Sequence, residues 1–158
     1  MKKDVLEELF RENYNGAVLY VYSLCKDYAL SEDVVSTAFF KTFSVWEEGG
    51  SFKSFLFKVC KNELFDHYRK RKRLVRLTAD IPDGTDAAER LIADEEYRSL
   101  FRALELLREE YREVITLFYF EDLSVAEIAR ITEKTPDNVK VTLFRARQKL
   151  KSILEDEK

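Results

Sequence analysis

Glycine and proline are scarce in this chain, and that scarcity sets the first limit on its fold. Its 158 residues contain four glycines and two prolines, too few for the many tight connections of a β-sandwich or β-barrel. Apolar side chains instead recur over long stretches at three- and four-residue intervals, which is the spacing of one helix face. The sequence therefore predicts an all-α protein.

The first half of the chain predicts three helices. The first covers residues 5–28, and the second is capped by Ser31 and ends at about Trp46. The run Glu47–Gly50 ends that helical pattern, and a third helix extends from Ser51 through the basic residues that follow.

Composition excludes several classes of protein. The longest uncharged stretch, Asn13–Cys25, is shorter than the roughly 20 residues of a membrane-spanning helix. The two cysteines, Cys25 and Cys60, and the single histidine, His67, do not have the spacing of a zinc site or a disulfide framework. We expect no metal, no cofactor, no membrane span and a cytoplasmic location.

The middle of the chain differs from both ends. Residues 77–90 contain Pro82, Gly84 and several acidic side chains, with little periodicity. Helical pattern returns at about Leu91. We therefore predict two small helical domains, residues 1–74 and 93–158, joined by a flexible linker at 75–92.

Charge is concentrated in two segments. The net charge is −3, but residues 51–76 hold nine basic and two acidic side chains (+7) and residues 134–151 hold six and one (+5). Two basic segments in an acidic background indicate an anionic partner that is touched at two places. The plainer alternative is two solvated helix faces.

The second basic segment follows a helix-turn-helix pattern. Ser124 and Glu127 form the capping box of a short helix that ends near Thr132. Thr135 then caps a second helix, with Pro136 at its first position. In such a motif the second helix enters the major groove of DNA. An ordinary helical hairpin with a basic surface is the alternative.

The outward side of that second helix holds the first set of candidate DNA contacts. Its cations can reach phosphates or guanine edges, and its apolar side chains can touch a thymine methyl group. The candidates are Lys140, Val141, Phe144 and Arg145, with Arg147 beside the buried stripe.

The first basic segment interleaves aromatic rings with cations. Phe57, Lys61, Phe65 and Tyr68 share one side of the predicted helix, an arrangement that suits unpaired bases and their phosphates. A carboxamide such as that of Asn62 can read a base edge, although single rings usually pack in a core and Asn62 can serve local hydrogen bonding. The candidate DNA contacts here are Lys58, Lys61, Asn62, Phe65, Tyr68 and Arg69.

Three stretches together resemble one known family. They are SEDVVSTAFFKTF at 31–43, the run 51–71, and the pieces within 111–147 that include LSVAEIA and VKVTLFRAR. In that order they are similar to the polymerase-binding helix, the −10 promoter-reading stretch and the −35 promoter-reading domain of extracytoplasmic-function (ECF) sigma factors of bacterial RNA polymerase.

The resemblance implies a function. Residues 1–74 would be sigma domain 2, which binds core RNA polymerase and melts and reads the −10 element, and 93–158 would be sigma domain 4, which reads the −35 element. Asn62 and its neighbours would hold a base extruded from the melted strand. The polymerase would supply the chemistry, so the chain itself is not expected to be an enzyme. An anti-sigma partner is implied by analogy. The implied polymerase contacts are Asp33, Val34, Ser36, Thr37 and Phe39.

Two other functions compete with this one. A stand-alone helix-turn-helix regulator would bind duplex DNA tightly as a dimer, but would leave the aromatic helix unexplained. A helical adaptor or decoy that binds the transcription machinery without touching DNA would be indifferent to Lys140→Ala and Arg145→Ala.

Overall fold

The chain divides into two helical units. A computed structural model describes residues 3–47, 50–74 and 95–156, and every regular element in those ranges is helical, which confirms the all-α prediction. The units are Met1–Thr85 and Asp86–Lys158. The predicted linker, 75–92, lies outside the described residues, so its limits remain a prediction. Within the described ranges, no helix is both long enough and apolar enough to cross a membrane.

The first unit is a three-helix bundle. It contains α1 (Lys3–Cys25), α2 (Tyr28–Val45) and α3 (Phe52–Leu74), and each helix packs against the other two. The helices bury apolar stripes that the periodicity predicted. Fully buried members are Ala17, Val18, Val21, Val35, Ala38, Leu56, Cys60 and Leu64.

The predicted start of α2 is wrong by one turn. Lys26 has left-handed backbone geometry (φ 56°), which ends α1, and the Asp27 side chain caps α2 by accepting the Leu30 amide at 3.1 Å. Ser31 is buried inside the first turn and donates its hydroxyl to the Asp27 carbonyl at 2.7 Å. Asp27, one turn earlier, is an equally good N-cap residue. The apolar periodicity does not show which of the two residues caps the helix.

The second unit holds four α-helices and one π-helical turn among its described residues. They are α4 (Glu95–Leu104), α5 (Glu109–Ile115), the π turn (Thr116–Phe120), α6 (Val125–Thr132) and α7 (Pro136–Asp156). The long helix α7 packs against α4, α5 and α6. The core that they enclose includes Leu104, Ile115, Leu117, Ile128, Ile131, Val139, Leu143 and Ala146.

The helix-turn-helix formed by α6 and α7 confirms the predicted motif. Ser124 and Glu127 make both hydrogen bonds of the capping box, and the Thr135 hydroxyl accepts the Asn138 amide at 3.1 Å. Between the helices, Glu133 adopts left-handed geometry (φ 57°). These local bonds fix the angle at which α7 leaves the turn.

Candidate nucleic-acid interface

One side of α7 is directed to solvent and holds the predicted contacts of the second unit. We call Lys140, Val141, Phe144 and Arg145 the α7 face; all four are exposed, Phe144 to 57%. At 3.6 residues per turn they span about 140° of the helix circumference. Val139, Leu143 and Ala146 lie on the opposite side and are buried. Packing therefore fixes the helix while leaving this face open to a partner.

Arg147 is exposed but engaged. Its Nε donates a hydrogen bond to the Tyr119 hydroxyl at 2.5 Å, and its guanidinium carbon lies 5.5 Å from the ring centres of both Phe118 and Tyr119. The side chain is thus held against the π turn at the edge of the α7 face.

A salt-bridge network ties the turn before α7 to α5. Lys134 Nζ lies 2.7 Å from one carboxylate oxygen of Glu110, and Arg108 lies 3.1 Å from the other. The hydrogen bond from Lys134 is the main reason that the pKa of Glu110 is lowered from its ordinary value. The network attaches the turn to the rest of the unit from outside its core.

The outward side of α3 holds the predicted contacts of the first unit. We call its members the α3 face: Lys58, Lys61, Asn62, Phe65, Tyr68 and Arg69. They lie within about 120° of the helix circumference. The Lys61 ammonium lies 5.7 Å from the centre of the Phe65 ring, and that ring is 41% exposed. The predicted interleaving of cations and rings is therefore present on the surface.

Asn62 and Arg69 differ in how they are held. Asn62 is exposed, whereas Arg69 forms an ion pair with Asp66, three residues earlier on the same helix. The neighbouring Glu63 pairs with Lys41 of α2. Two acidic side chains thus lie beside the α3 face: Asp66 pairs within α3, and Glu63 links α3 to α2.

Phe57 does not belong to the α3 face, and its predicted placement on that side is wrong. Its ring is fully buried and stacks on Tyr20 of α1, with ring centres 5.2 Å apart and planes 3° apart. It lies about 80° around the helix from Phe65, and at its position along α3 that side of the helix packs against Tyr20 of α1.

The predicted polymerase contacts on α2 separate into exposed and buried groups. Asp33, Ser36 and Thr37 are exposed and lie at helical spacing i, i+3 and i+4. Phe40 continues that line at i+7 and is 75% exposed. We call these four residues the α2 stripe. Phe40 lies within the matched motif, and its helical spacing from Asp33 is the sequence signal that places it on this line.

Val34 and Phe39 are buried, so their predicted direct contact with polymerase is corrected. They are 5% and 3% exposed. Phe39 lies in an aromatic cluster, with ring centres 4.9 Å from Phe10 and 5.6 Å from Phe43. Both side chains lie about 100° or more from Asp33 around the helix, and Val34 lines the groove between α2 and α3 beside Asp33 and Thr37. Val34 and Phe39 fix the helix in the bundle.

The structure offers no metal centre in the ranges that it describes, since no cluster of three or more histidine, cysteine or acidic side chains has a suitable arrangement there.

The buried Cys60 has a raised pKa because burial disfavours its thiolate. His67 lines a small groove of about 140 Å³ between α2 and α3, with Asp33, Thr37 and Lys70 among its neighbours.

Comparison with known families and proteins assigns both halves. Residues 9–74 match the family model described as Sigma-70 region 2, and residues 97–150 match Sigma-70, region 4. The chain is 28% identical to the ECF RNA polymerase sigma factor SigM of Bacillus subtilis, across 94% of each chain. It is 25% identical to SigW of the same organism, across 80% of this chain and 76% of SigW.

Two solved structures share the fold. One is the sigma factor RpoE in complex with the anti-sigma factor NepR from Bartonella quintana, with a TM-score of 0.75, 23% identity, and 99% of this chain and 100% of that chain covered. The other is CnrH in complex with the cytosolic domain of CnrY, with a TM-score of 0.70, 19% identity, and 99% and 92% covered. Because sigma-type matches cover both halves, a stand-alone helix-turn-helix regulator is not favoured.

Proposed function

The chain belongs to the sigma-70 family, as an ECF sigma factor that binds RNA polymerase and directs promoter-specific transcription, and we propose how it divides this task between its helices. The α3 face reads the −10 element, the α7 face reads the −35 element, and the α2 stripe binds core polymerase. The observation that carries the proposal is that each unit presents one helix whose outward side holds cations that are at least partly exposed, beside apolar or aromatic side chains.

The α3 face suits melted DNA. Stacking of an unpaired base on an aromatic ring is worth about 1–3 kcal/mol, and Phe65 offers a half-exposed ring with Lys61 over it. The cations can hold the backbone while the Asn62 carboxamide pairs with the edge of an extruded base. A single strand can follow this face because its bases are free to turn toward the rings.

The α7 face suits duplex DNA. Lys140 and Arg145 can reach phosphates or guanine edges, and Phe144 can touch a thymine methyl group. The helix-turn-helix holds α7 by its buried side, so the first turns of the helix can enter the major groove without unfolding. Arg147 contributes at the edge of this face.

Polymerase binding rests on the α2 stripe. Asp33, Ser36 and Thr37 supply polar contacts, and Phe40 supplies an apolar anchor of the kind that dominates protein interfaces. Val34 and Phe39 act indirectly, since they hold α2 in the bundle.

Three further properties follow from family membership as proposals. The chain acts without catalysis of its own, in the cytoplasm where polymerase works. It is also held by an anti-sigma factor, since the solved structures of RpoE and CnrH contain the partners NepR and CnrY. No part of this proposal depends on the identity of that partner.

Reconstituted transcription tests the division. Purified chain and bacterial core polymerase are supplied with a promoter library whose −35 and −10 regions are randomised, and the transcripts are sequenced. We expect initiation that depends on the chain, and a loss of at least about tenfold with Arg145→Glu, because a good bidentate contact alone discriminates by about 1–3 kcal/mol. Lys149→Glu is the matched control, since Lys149 is an exposed cation on the same helix outside the α7 face.

Two results would contradict the proposal at different levels. Failure to initiate from any library member would remove the sigma-factor function itself. Initiation by Arg145→Glu from the same promoters and at the same rate as the unchanged chain would remove only the role of α7.

Binding without polymerase gives a second test. The net charge of −3 means that acidic segments oppose non-specific attraction to DNA, so we expect the free chain to bind promoter DNA weakly. Nanomolar binding at physiological salt in a titration without polymerase would instead support the dimeric regulator.

A further inference from the structure

The π turn that follows α5 presents two consecutive aromatic rings toward α7. Its wider hydrogen bonding includes the Glu121 amide to the Thr116 carbonyl at 3.1 Å. The rings of Phe118 and Tyr119 meet edge to face, with centres 5.0 Å apart. Short π segments inside helices occur frequently at functional sites. This one places an exposed tyrosine hydroxyl beside a DNA-reading helix.

Tyr119 holds Arg147 by two kinds of contact. Its hydroxyl accepts the Nε hydrogen at 2.5 Å, and its ring lies 5.5 Å from the guanidinium carbon. The two residues are 28 positions apart, so the contact joins separate elements of the unit. Tyr119 is 53% exposed, and burial in the core is therefore not what orders this arginine.

The location of Arg147 on α7 indicates what it faces. Lys140, Phe144 and Arg147 lie along one line of the helix at i, i+4 and i+7, and Arg147 is about 10 Å further along the axis than Lys140. A recognition helix contacts bases with its N-terminal residues, so a cation two turns later meets the rim of the groove, where the phosphates lie. Because the hydrogen bond to Tyr119 engages Nε, both terminal amino groups of Arg147 can still donate to a phosphate.

We propose that Tyr119 is a positioning residue for DNA binding, which holds Arg147 at the rim of the major groove so that its guanidinium binds one backbone phosphate of the −35 element. The proposal rests on the −35 role of α7 given above. A long side chain normally loses rotamer freedom when it binds. Arg147 has already lost that freedom in the free protein, so the phosphate contact forms at a smaller entropic cost.

The test uses the reconstituted holoenzyme on a promoter selected from the randomised library. Arg147→Gln should weaken promoter binding and reduce the slope of log affinity against log salt by about one, as expected for one lost phosphate contact. Tyr119→Phe keeps the ring and removes the hydroxyl, and it should weaken binding by about 3- to 10-fold. A neutral methylphosphonate at the contacted position of the DNA should reproduce the Arg147→Gln loss and add nothing to it.

A double-mutant cycle separates positioning from a merely structural contact. If Tyr119 acts through Arg147, Tyr119→Phe has no further effect in the Arg147→Gln background. Additive losses, or an unchanged salt slope in Arg147→Gln, would overturn the proposal. Arg147→Lys keeps the charge without the planar guanidinium group, so it should retain the salt slope. If amide exchange shows that Arg147→Gln is unstable, the salt slope of Arg147→Lys is used to test the phosphate contact.

Arg145→Glu distinguishes the two levels of failure. If Arg145→Glu abolishes −35 recognition while Arg147→Gln changes nothing, only the positioning proposal fails. If neither substitution has an effect, the role of α7 itself fails.

Discussion

The α3 face and the α7 face present similar side chains on differently constrained helices. On α3, buried and exposed rings alternate, so Phe57 stacks in the core while Phe65 lies half exposed under Lys61. On α7, the buried residues are Val139, Thr142, Leu143 and Ala146, and Phe144 is exposed. On α3 aromatic rings serve both the core and the surface, whereas on α7 the one aromatic ring, Phe144, is exposed and the buried side holds none.

This difference supports the proposal that the two faces bind different forms of DNA. On α3 the half-exposed Phe65 ring lies beside the Lys61 ammonium, so a base that stacks on this ring also comes close to a cation. The α7 face is exposed to solvent, and the capped ends of α6 and α7 fix the direction of α7. This suits insertion into a groove of fixed width. Substitutions can test whether each face can be changed without a loss of stability in the core behind it.

The largest expected effect comes from Phe57→Ala. Removing a fully buried ring from the stack with Tyr20 should lower the free energy of unfolding of the first unit by about 3–5 kcal/mol. The single tryptophan, Trp46, contacts Phe52 edge to face at 5.2 Å, so its fluorescence in a urea titration reports this unit alone. Phe65→Ala should change the same midpoint little, and equal losses in the two variants would mean that the α3 face and the core are one structure.

The second effect concerns strand opening. Phe65→Ala should weaken capture of the melted −10 strand by about 1–3 kcal/mol, the stacking energy of one base, while binding to core polymerase is unchanged. Permanganate reactivity of promoter thymines measures the opened fraction.

Val45→Ala is the control for Phe65→Ala, because it removes an exposed apolar side chain of the same unit from outside the α3 face. Equal opening by the Phe65 variant and the unchanged chain would show that the ring on α3 serves only packing.

Sequence reasoning succeeded where a local rule determines the structure. The capping box at Ser124 and the Thr135–Pro136 start of α7 depend on bonds within one turn, and both are present. It failed where two local rules competed, as with Ser31 and Asp27 at the start of α2. It also failed for Phe57, since residue type does not distinguish a core ring from a surface ring.

The resemblance to a family had a different weakness. It marked Val34 and Phe39 as contacts because they belong to the matched motif, but a motif includes the residues that hold a helix as well as those that touch a partner. Burial separates the two groups, and it added Phe40 to the exposed one.

The third prediction compares a buried hydroxyl in each unit. Among the described residues, the hydroxyls of Thr42 and Thr116 are buried without a hydrogen-bond partner. Valine has nearly the same shape, so Thr42→Val and Thr116→Val should each raise the stability of their own unit by up to about 1 kcal/mol. Trp46 fluorescence measures the first unit, and amide exchange of α7 measures the second.

Thr132→Val is the matched control for these two substitutions. Its hydroxyl donates to the Ile128 carbonyl at 2.7 Å, so the same change should lower stability by about 0.5–1.5 kcal/mol. A loss of stability in the Thr42 and Thr116 variants would show that those hydroxyls are satisfied in solution.

The smallest effect is a dependence on pH confined to the second unit. The pKa of Glu110 is lowered from its ordinary 4.5 chiefly by the hydrogen bond from Lys134, so the folded state favours the ionised carboxylate. The resulting stability is fully present above pH 4.5 and is lost as the pH falls through the lower folded-state pKa. Since both side chains are partly exposed, the pair is worth about 0.2–1 kcal/mol and is weakened by salt.

Glu110→Gln should therefore protect α6 amides less than the unchanged chain does at pH 7 and low salt, and the difference should shrink as the pH falls below 4.5 and disappear in high salt. Glu155→Gln removes the carboxylate of another exposed ion pair, with Lys151 on α7, and should leave the α6 amides unchanged at either pH. A difference that persists at low pH would mean that Glu110 supports the turn by packing. In that case packing alone would fix the angle of α7 and the orientation of the α7 face, as packing of the aromatic core fixes the orientation of the α3 face.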